Sequence, residues 1–332
     1  MKSENKNFRS HKKRLGKKGF AYLLTASILI SIILIVYLSA YSYKHQDKQD
    51  AQSARIHLMN DFIKGFDQDI SRATYITAFR TMIALEDSIA TTGKFLNNTE
   101  ESFRETFYYG TVNGSASEIM NESSFETYIA KVNSIANDMG FKNSINVTNI
   151  TLTQNDPWHI TVGMTALIVI NDSNHLASWT FTKQYSTDVP IADLRDPLYS
   201  SFTDGKVPNT VREFNKSYFV SSANDTTNLL EHLNDSDYYA SVKAPDFLMR
   251  FENNYSPSPY GIESFVNINE LNAQNLPVDQ NAVKIDYIYF NNLATDKICD
   301  VQNIPSDYYF DVPSNRISTY DLNNLNYTTP CP

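Results

Sequence analysis

Hydrophobic and polar positions along this chain follow three successive patterns. From Gly19 to Tyr43 there is no charged residue, and Phe20–Tyr41 reads FAYLLTASILISIILIVYLSAY. As a helix these 22 residues span about 33 Å, against roughly 30 Å for the hydrocarbon core of a bilayer. Ile28, Leu29, Ile30, Ile32, Ile33, Leu34, Ile35 and Val36 fill the middle. Tyr22, Tyr37, Tyr41 and Tyr43 lie toward the ends, where amphipathic rings favour the membrane interface. A cleaved secretory signal would have a shorter apolar region and a small-residue site after it. The pattern therefore predicts a membrane-crossing helix over residues 19–43.

The second pattern occupies Gln49–Thr91. Ile56, Met59, Ile63, Phe66, Ile70, Ala73, Ile76, Phe79 and Ile83 recur at spacings of three and four, opposite Asp61, Lys64, Asp67, Asp69, Arg72 and Arg80. No Pro interrupts the stretch, and Gly65 costs only ~1 kcal/mol. This predicts an amphipathic helix that docks one stripe on its own globular domain. Two shorter helices follow, over Glu100–Tyr108 and Ser123–Met139. The second presents Phe125, Ile129, Val132, Ile135 and Met139 on one side, with Gly140 as its C-terminal cap.

The third pattern has a period of two. Trp158, Ile160, Val162, Met164, Ala166, Ile168 and Ile170 alternate with polar positions that include His159, Thr161 and Thr165. Asn171-Asp172-Ser173-Asn174 is turn chemistry, and Ala177, Trp179, Phe181 and Tyr185 alternate beyond it. Ile145–Leu152 predicts a preceding strand. Helix followed by antiparallel meander is an α+β pattern. Beyond Asp196-Pro197-Leu198-Tyr199, a soft boundary near residue 200, the pattern is less regular. Strands are expected at Val207–Val220 and at Val283, Ile285, Tyr287 and Tyr289, with short helices at Thr227–Leu233 and Pro245–Phe251. The predicted organisation is 1–18 a basic leader, 19–43 a transmembrane helix, 44–92 a helical stalk, 93–200 an α+β head, and 201–332 a second α+β region.

Charge orients this arrangement. The chain holds 28 Lys and Arg against 37 Asp and Glu; residues 1–18 take eight of the former and one of the latter. The remainder therefore has 20 basic and 36 acidic residues, a net of −16. The positive-inside rule keeps residues 1–18 cytoplasmic and exports everything after about Lys44. An acidic body excludes nucleic acid as a partner, since phosphate contacts need a basic surface. Only 10 Gly occur in the chain, which leaves little room for phosphate-cradling loops.

The junction Lys17-Lys18-Gly19-Phe20 resembles the class III signal of type IV pilins: basic residues, then Gly, then an unbroken apolar helix. The resemblance implies cutting after Gly19 by a prepilin-type peptidase, a mature chain that begins at Phe20, other pilin-like subunits as partners, and a pilin-like head behind the long first helix. The chain departs from the pattern at Leu24, where bacterial pilins place Glu, and at Phe20, where many archaeal pilins place Gln. An uncleaved signal anchor is the alternative at this junction. The span from Leu176 through Tyr199, with Tyr260-Gly261-Ile262-Glu263-Ser264, is similar to uncharacterised archaeal membrane-anchored surface proteins.

Candidate chemistry is sparse. His11, His45, His57, His159, His175 and His232 form no H-x-x-x-H or other metal-binding pair, and no cofactor or metal is expected. Nucleophile-elbow, dinucleotide, Walker and calcium-loop motifs are missing. Asp67/Asp69 and Asp235/Asp237 are read as solvated acidic pairs, and no enzyme activity is expected. Cys299 and Cys331 are the only cysteines; both lie in the exported part. They are expected to form a disulfide closing a loop of about 33 residues, worth roughly 3–4 kcal/mol, with two unpaired thiols as the alternative. Glycosylation sequons occur at Asn97, Asn113, Asn121, Asn146, Asn149, Asn171, Asn215, Asn224, Asn234, Asn254 and Asn326.

Two functions fit this sequence. One is a minor pilin-like subunit of a surface filament or its assembly machinery, held by membrane lipid in a single pass with its C-terminal part outside. The other is an uncleaved, membrane-tethered ectodomain that binds a surface glycan or a partner protein.

Overall fold

A computed structural model describes residues 17–222, 225–293 and 297–328. The chain divides into two compact units, residues 1–63 and 64–332. One helix, α1 (Lys17–Thr92), contributes to both and runs for 76 residues without a break. No Pro falls within it, and Gly65 has open space where a Cβ would stand. The helix ends where Gly93 turns left-handed (φ +66) and its N–H donates to the Ile89 carbonyl at 2.8 Å.

Within the second unit the buried stripe of α1 differs from the expected one. Ile76 is 47% exposed and Ile56, in the first unit, is 42% exposed. Burial instead follows Phe66, Ile70, Thr74, Thr77, Ala78, Thr81, Met82, Leu85 and Ile89. Threonines serve in that stripe because their hydroxyls are satisfied, Thr77 by the Ser123 carbonyl at 3.2 Å and the other two within the helix. Thr74 donates to the Ile70 carbonyl at 2.7 Å and Thr81 to the Thr77 carbonyl at 2.8 Å.

Helix α2 (Thr99–Tyr109) is capped by Asn98, whose side chain accepts from the Glu101 N–H. It ends at Gly110 (φ +75), where a Cβ would press on Met120 and Ser124 at 3.3 Å. A two-residue hairpin, β1 (Thr111–Val112) with β2 (Ser115–Ala116), leads to α3 (Phe125–Asp138). Helix α3 buries Phe125, Ile129, Val132 and Ala136, whereas Ile135, expected on that face, is 55% exposed.

The main sheet is an antiparallel meander of β3 (Phe141–Asp156), β4 (His159–Asp172) and β5 (Ser178–Pro190), in that order. Ile160, Val162, Met164, Ala166, Ile168 and Ile170 all point into the core with at most 2% exposure, as their alternation predicts. Helices α2 and α3 lie against β3.

Residues beyond the meander form short elements: α4 (Pro197–Phe202), α5 (Thr227–Asp235), β6 (Tyr238–Ala240), α6 (Phe247–Arg250), β7 (Ile262–Ser264), α7 (Ile268–Ala273), α8 (Asp286–Asn291), β8 (Ile298–Val301), β9 (Asp311–Pro313) and β10 (Tyr327–Thr328). Strands β6 and β7 pair, and β8 lies between β10 and β9. Their core runs across residue 200: Leu198 packs with Phe214, Phe219, Leu229, Leu233, Phe265 and Tyr320.

Two expected strands are absent. Residues 207–220 make only isolated bridges, Thr210 to Arg195 and Glu213 to Tyr238 at the start of β6, and Pro208 offers no N–H to a ladder. Residues 283–285 are extended, but the chain then turns into α8, with the Tyr289 N–H donating to the Ile285 carbonyl at 2.8 Å. Val283 through Ile288 are all buried, the charged Lys284 and Asp286 included, so the apolar alternation here does not separate a buried face from an exposed one. The architecture is α+β, with a long apolar N-terminal helix and small antiparallel sheets.

Candidate functional site

The predicted anchor is the most unusual surface on the chain. Its large side chains from Phe20 to Tyr43 are between 51% and 77% exposed, and none of the 18 most apolar residues (mean hydropathy 2.5) is buried. A stretch this apolar has no stable place in water. By length and composition the helix is able to cross a membrane. Two of its hydroxyls bond back to the helix. Thr25 donates to the Ala21 carbonyl at 3.1 Å and Ser31 to the Ser27 carbonyl at 2.9 Å, so neither arrives in lipid with an unpaired donor.

The expected processing residues Lys17, Lys18, Gly19 and Phe20 are helical and lie at the start of the described part of α1. Gly19 is half-buried and Phe20 exposed.

A group of buried charges, not legible in the sequence, lies in the second unit. Arg250, at the end of α6, holds Asp196 at 2.6 Å and Asp286 at 2.8 Å, and all three side chains have zero exposure. The Arg250 guanidinium also donates to the Ile262 carbonyl. Tyr238 donates to Asp196 at 2.7 Å and Ser264 to Asp286 at 3.1 Å. Burial pushes Asp286 up to about 6, against an ordinary 3.8, although the guanidinium opposes the shift. Beside it, Arg316 grips Glu263 with two bonds of 3.0 Å and donates to the Tyr287 hydroxyl at 2.9 Å, while Tyr320 donates to Glu263 at 2.8 Å. These groups tie α4, α6, β7, α8 and the segment around 316–320 together. Desolvated and paired through their charged ends, although Arg250 Nε has no hydrogen-bond partner, they serve as structural pins.

Sequence reasoning missed this cluster because an Asp or Arg carries no mark of its burial. The one available signal was local: Asp286 between Ile285 and Tyr287, and Arg250 after Phe247-Leu248-Met249, are single charges in apolar runs. Asp196 was read only as part of a soft boundary near residue 200; its carboxylate accepts the Leu198 N–H at 2.8 Å at the start of α4.

The other predicted residues are scattered. His159 is exposed and paired with Asp156 at 3.0 Å, whereas His232 is completely buried among Phe214, Phe219 and Phe265, at ring-centroid distances of 4.8, 5.1 and 4.9 Å. Neither ring nitrogen of His232 finds a hydrogen-bond partner, and burial pulls its pKa down to about 3. Asp67 and Asp69 are not simply solvated: Asp67 accepts from Lys183 at 2.6 Å and Tyr185 at 3.2 Å, and Asp69 from Tyr128 at 3.1 Å. Among the described residues no group of three or more His, Cys, Asp or Glu could hold a metal ion. Cys299 is buried and disulfide-bonded; Cys331 lies outside the described residues.

Of the sequon asparagines, Asn224 lies outside the described residues. Asn97, Asn113, Asn121, Asn146, Asn149, Asn215, Asn234, Asn254 and Asn326 are exposed, and Asn171 is half-buried. Compared with known proteins, the chain matches no family model, no curated protein and no solved structure.

Proposed function

We propose that the protein is a membrane-anchored surface protein acting as a minor pilin-like subunit of a filament or its assembly machinery. One observation carries this reading: a single unbroken helix that is apolar and uncovered at its start and supplies a buried core stripe at its end. Lipid covers the apolar part first, and counterparts of the same helix cover it in the filament. The eight basic residues before Gly19 hold the N-terminus inside. The protein works mechanically, as an anchored α+β head, with no reaction of its own.

A second reading is favoured by Leu24, where bacterial pilins place Glu, and by a helix that is continuous across Gly19 in the described residues. In it the chain stays uncut and the head is a tethered module that binds a surface glycan or a protein. Fractionation separates the two. Mechanical shearing of cells should release the protein with filaments if the first reading holds, whereas recovery only in membranes supports the second. In both, protease added to intact cells removes the head, and a protected head overturns the surface assignment itself.

A further inference from the structure

We propose that Asn146 and Asn149 carry N-linked saccharides whose first sugars lie in the groove between α2 and β3. The inference rests on the surface reading above, because the acceptors must meet a glycosyl donor outside the membrane.

Asn146-Val147-Thr148 and Asn149-Ile150-Thr151 are consecutive sequons on one strand. In the sheet register Asn146 faces Leu167 and Asn149 faces Thr165. Both partners belong to the outward row of β4, opposite the buried row, so both asparagines project away from the core. A register shift between Val147 and Asn149 inserts an extra residue there, which bends the strand locally. Neither Asn146 nor Asn149 gives its Nδ2 to a hydrogen bond among the described residues. Asn155, Asn209, Asn228, Asn267 and Asn291, none of them in a sequon, do give theirs. The two reactive nitrogens are thus exposed and unspent.

The neighbouring surface has the chemistry of a sugar site. A groove of about 340 Å³ is lined by Arg104, Tyr108, Tyr109, Asn146, Thr148 and Asn149. Tyr109 is 60% exposed, and its ring meets Tyr108 edge-on at 4.8 Å. Exposed tyrosine rings offer flat apolar faces for the C–H side of a pyranose, and their hydroxyls bond its polar rim. Two acceptors and two aromatic rings in one groove set this pair of sequons apart from the isolated ones.

The donor is a lipid-linked, phosphate-activated saccharide, used by a transferase of the exporting membrane. Nδ2 attacks the anomeric carbon and a C–N bond forms. The C–O bond to the carrier phosphate breaks, and its electron pair leaves with the phosphate. The proton on Nδ2 passes to a base of the transferase, and nothing is oxidised or reduced.

The test uses full-length protein from its own membranes. Peptide mapping by mass spectrometry should find hexose or N-acetylhexosamine increments on both Asn146 and Asn149, and N146Q/N149Q should remove them. Thr148→Ala/Thr151→Ala should remove them as well, with the asparagines kept. Amide hydrogen exchange over residues 105–110 should be several-fold faster in either double variant than in the wild type, because the sugars no longer cover the groove. Bare asparagines in a head that external protease removes overturn the proposal alone. Glycans present with unchanged exchange overturn the docking in the groove. A head that protease cannot reach overturns the surface reading and this proposal together.

Discussion

Arg250 and Asp286 meet at 2.8 Å with no solvent on either side chain, and the same guanidinium nitrogen reaches Asp196 at 2.6 Å. One cation thus serves two buried carboxylates. Removing a single partner from such a group typically costs about 3–5 kcal/mol, since an uncompensated charge is left in the interior. Arg250→Met leaves two, and should unfold the head or lower its melting temperature more than any other substitution proposed here. Asp286→Asn should be milder, because the Asp286 carboxyl is already pushed toward neutrality. Thermal melts of the two variants in detergent should show that order; a milder Arg250→Met would contradict the pairing.

Asp286 also sets a pH dependence. Its folded pKa of about 6 lies above the ordinary 3.8. The neutral acid is therefore favoured by the fold, and the group's contribution to stability is full below 3.8. It is lost as pH rises through about 6. The stability difference between wild type and Asp286→Asn should change mainly in that window. Chemical denaturation at pH 4, 5, 6 and 7 measures it, and a constant difference would show that Asp286 ionises freely.

His232 has the opposite sign. Its folded pKa of about 3 lies below the ordinary 6.5, since a charged ring cannot be hydrated among Phe214, Phe219 and Phe265. Above pH 6.5 the group is neutral whether folded or unfolded and costs nothing. As pH falls from 6.5 toward 3 the unfolded chain takes up a proton that the folded chain does not, and stability falls by up to about 1.4 kcal/mol per pH unit. His232→Leu should remove this slope and be relatively more stable in acid. Parallel acid-denaturation curves for variant and wild type would refute the burial of a neutral ring.

How much of this molecule the sequence announced depended on whether a feature repeats. The alternation through Ile160–Ile170 and the uncharged run through Tyr43 each extend over ten or more positions, so local chemistry alone defines them. Short elements lack that redundancy. Ile285-Asp286-Tyr287-Ile288 fits a strand as well as one turn of helix, and the choice was made by Asp286 being drawn inward to Arg250. Thr74 and Thr81 join the buried stripe for a local reason, because a hydroxyl that bonds back to its own helix behaves as an apolar surface, whereas Thr77 is paired across the fold with the Ser123 carbonyl.

Cys299 is buried and disulfide-bonded, and the chain's other cysteine is Cys331. We therefore expect non-reducing peptide mapping to recover Cys299 and Cys331 as one linked pair. Closing a loop of about 33 residues contributes roughly 3–4 kcal/mol in the chain-entropy account. Cys331→Ser should lower the melting temperature of the head, and dithiothreitol should have the same effect on the wild type only. Two titratable thiols in the folded, unreduced protein would rule the bond out.

The last prediction concerns the junction at Gly19, where the two functional readings part. Lys17–Phe20 lies at the start of the described part of α1. Gly19 lowers local helix stability by ~1 kcal/mol relative to Ala. A peptidase at the cytoplasmic face therefore meets a backbone that can be drawn out into an extended strand, with no side chain to exclude it. N-terminal sequencing of the native protein should begin at Phe20. Gly19→Val should leave a full-length precursor, still inserted because residues 20–43 are untouched, and Gly19→Ala should be cut more slowly than the wild type. Cutting removes all eight positive charges of the leader, which otherwise tether the helix end to the cytoplasmic face. Only then can the helix leave lipid for a bundle of its counterparts. A native chain that retains Met1 would remove that route and leave the tethered binding module as the protein's function.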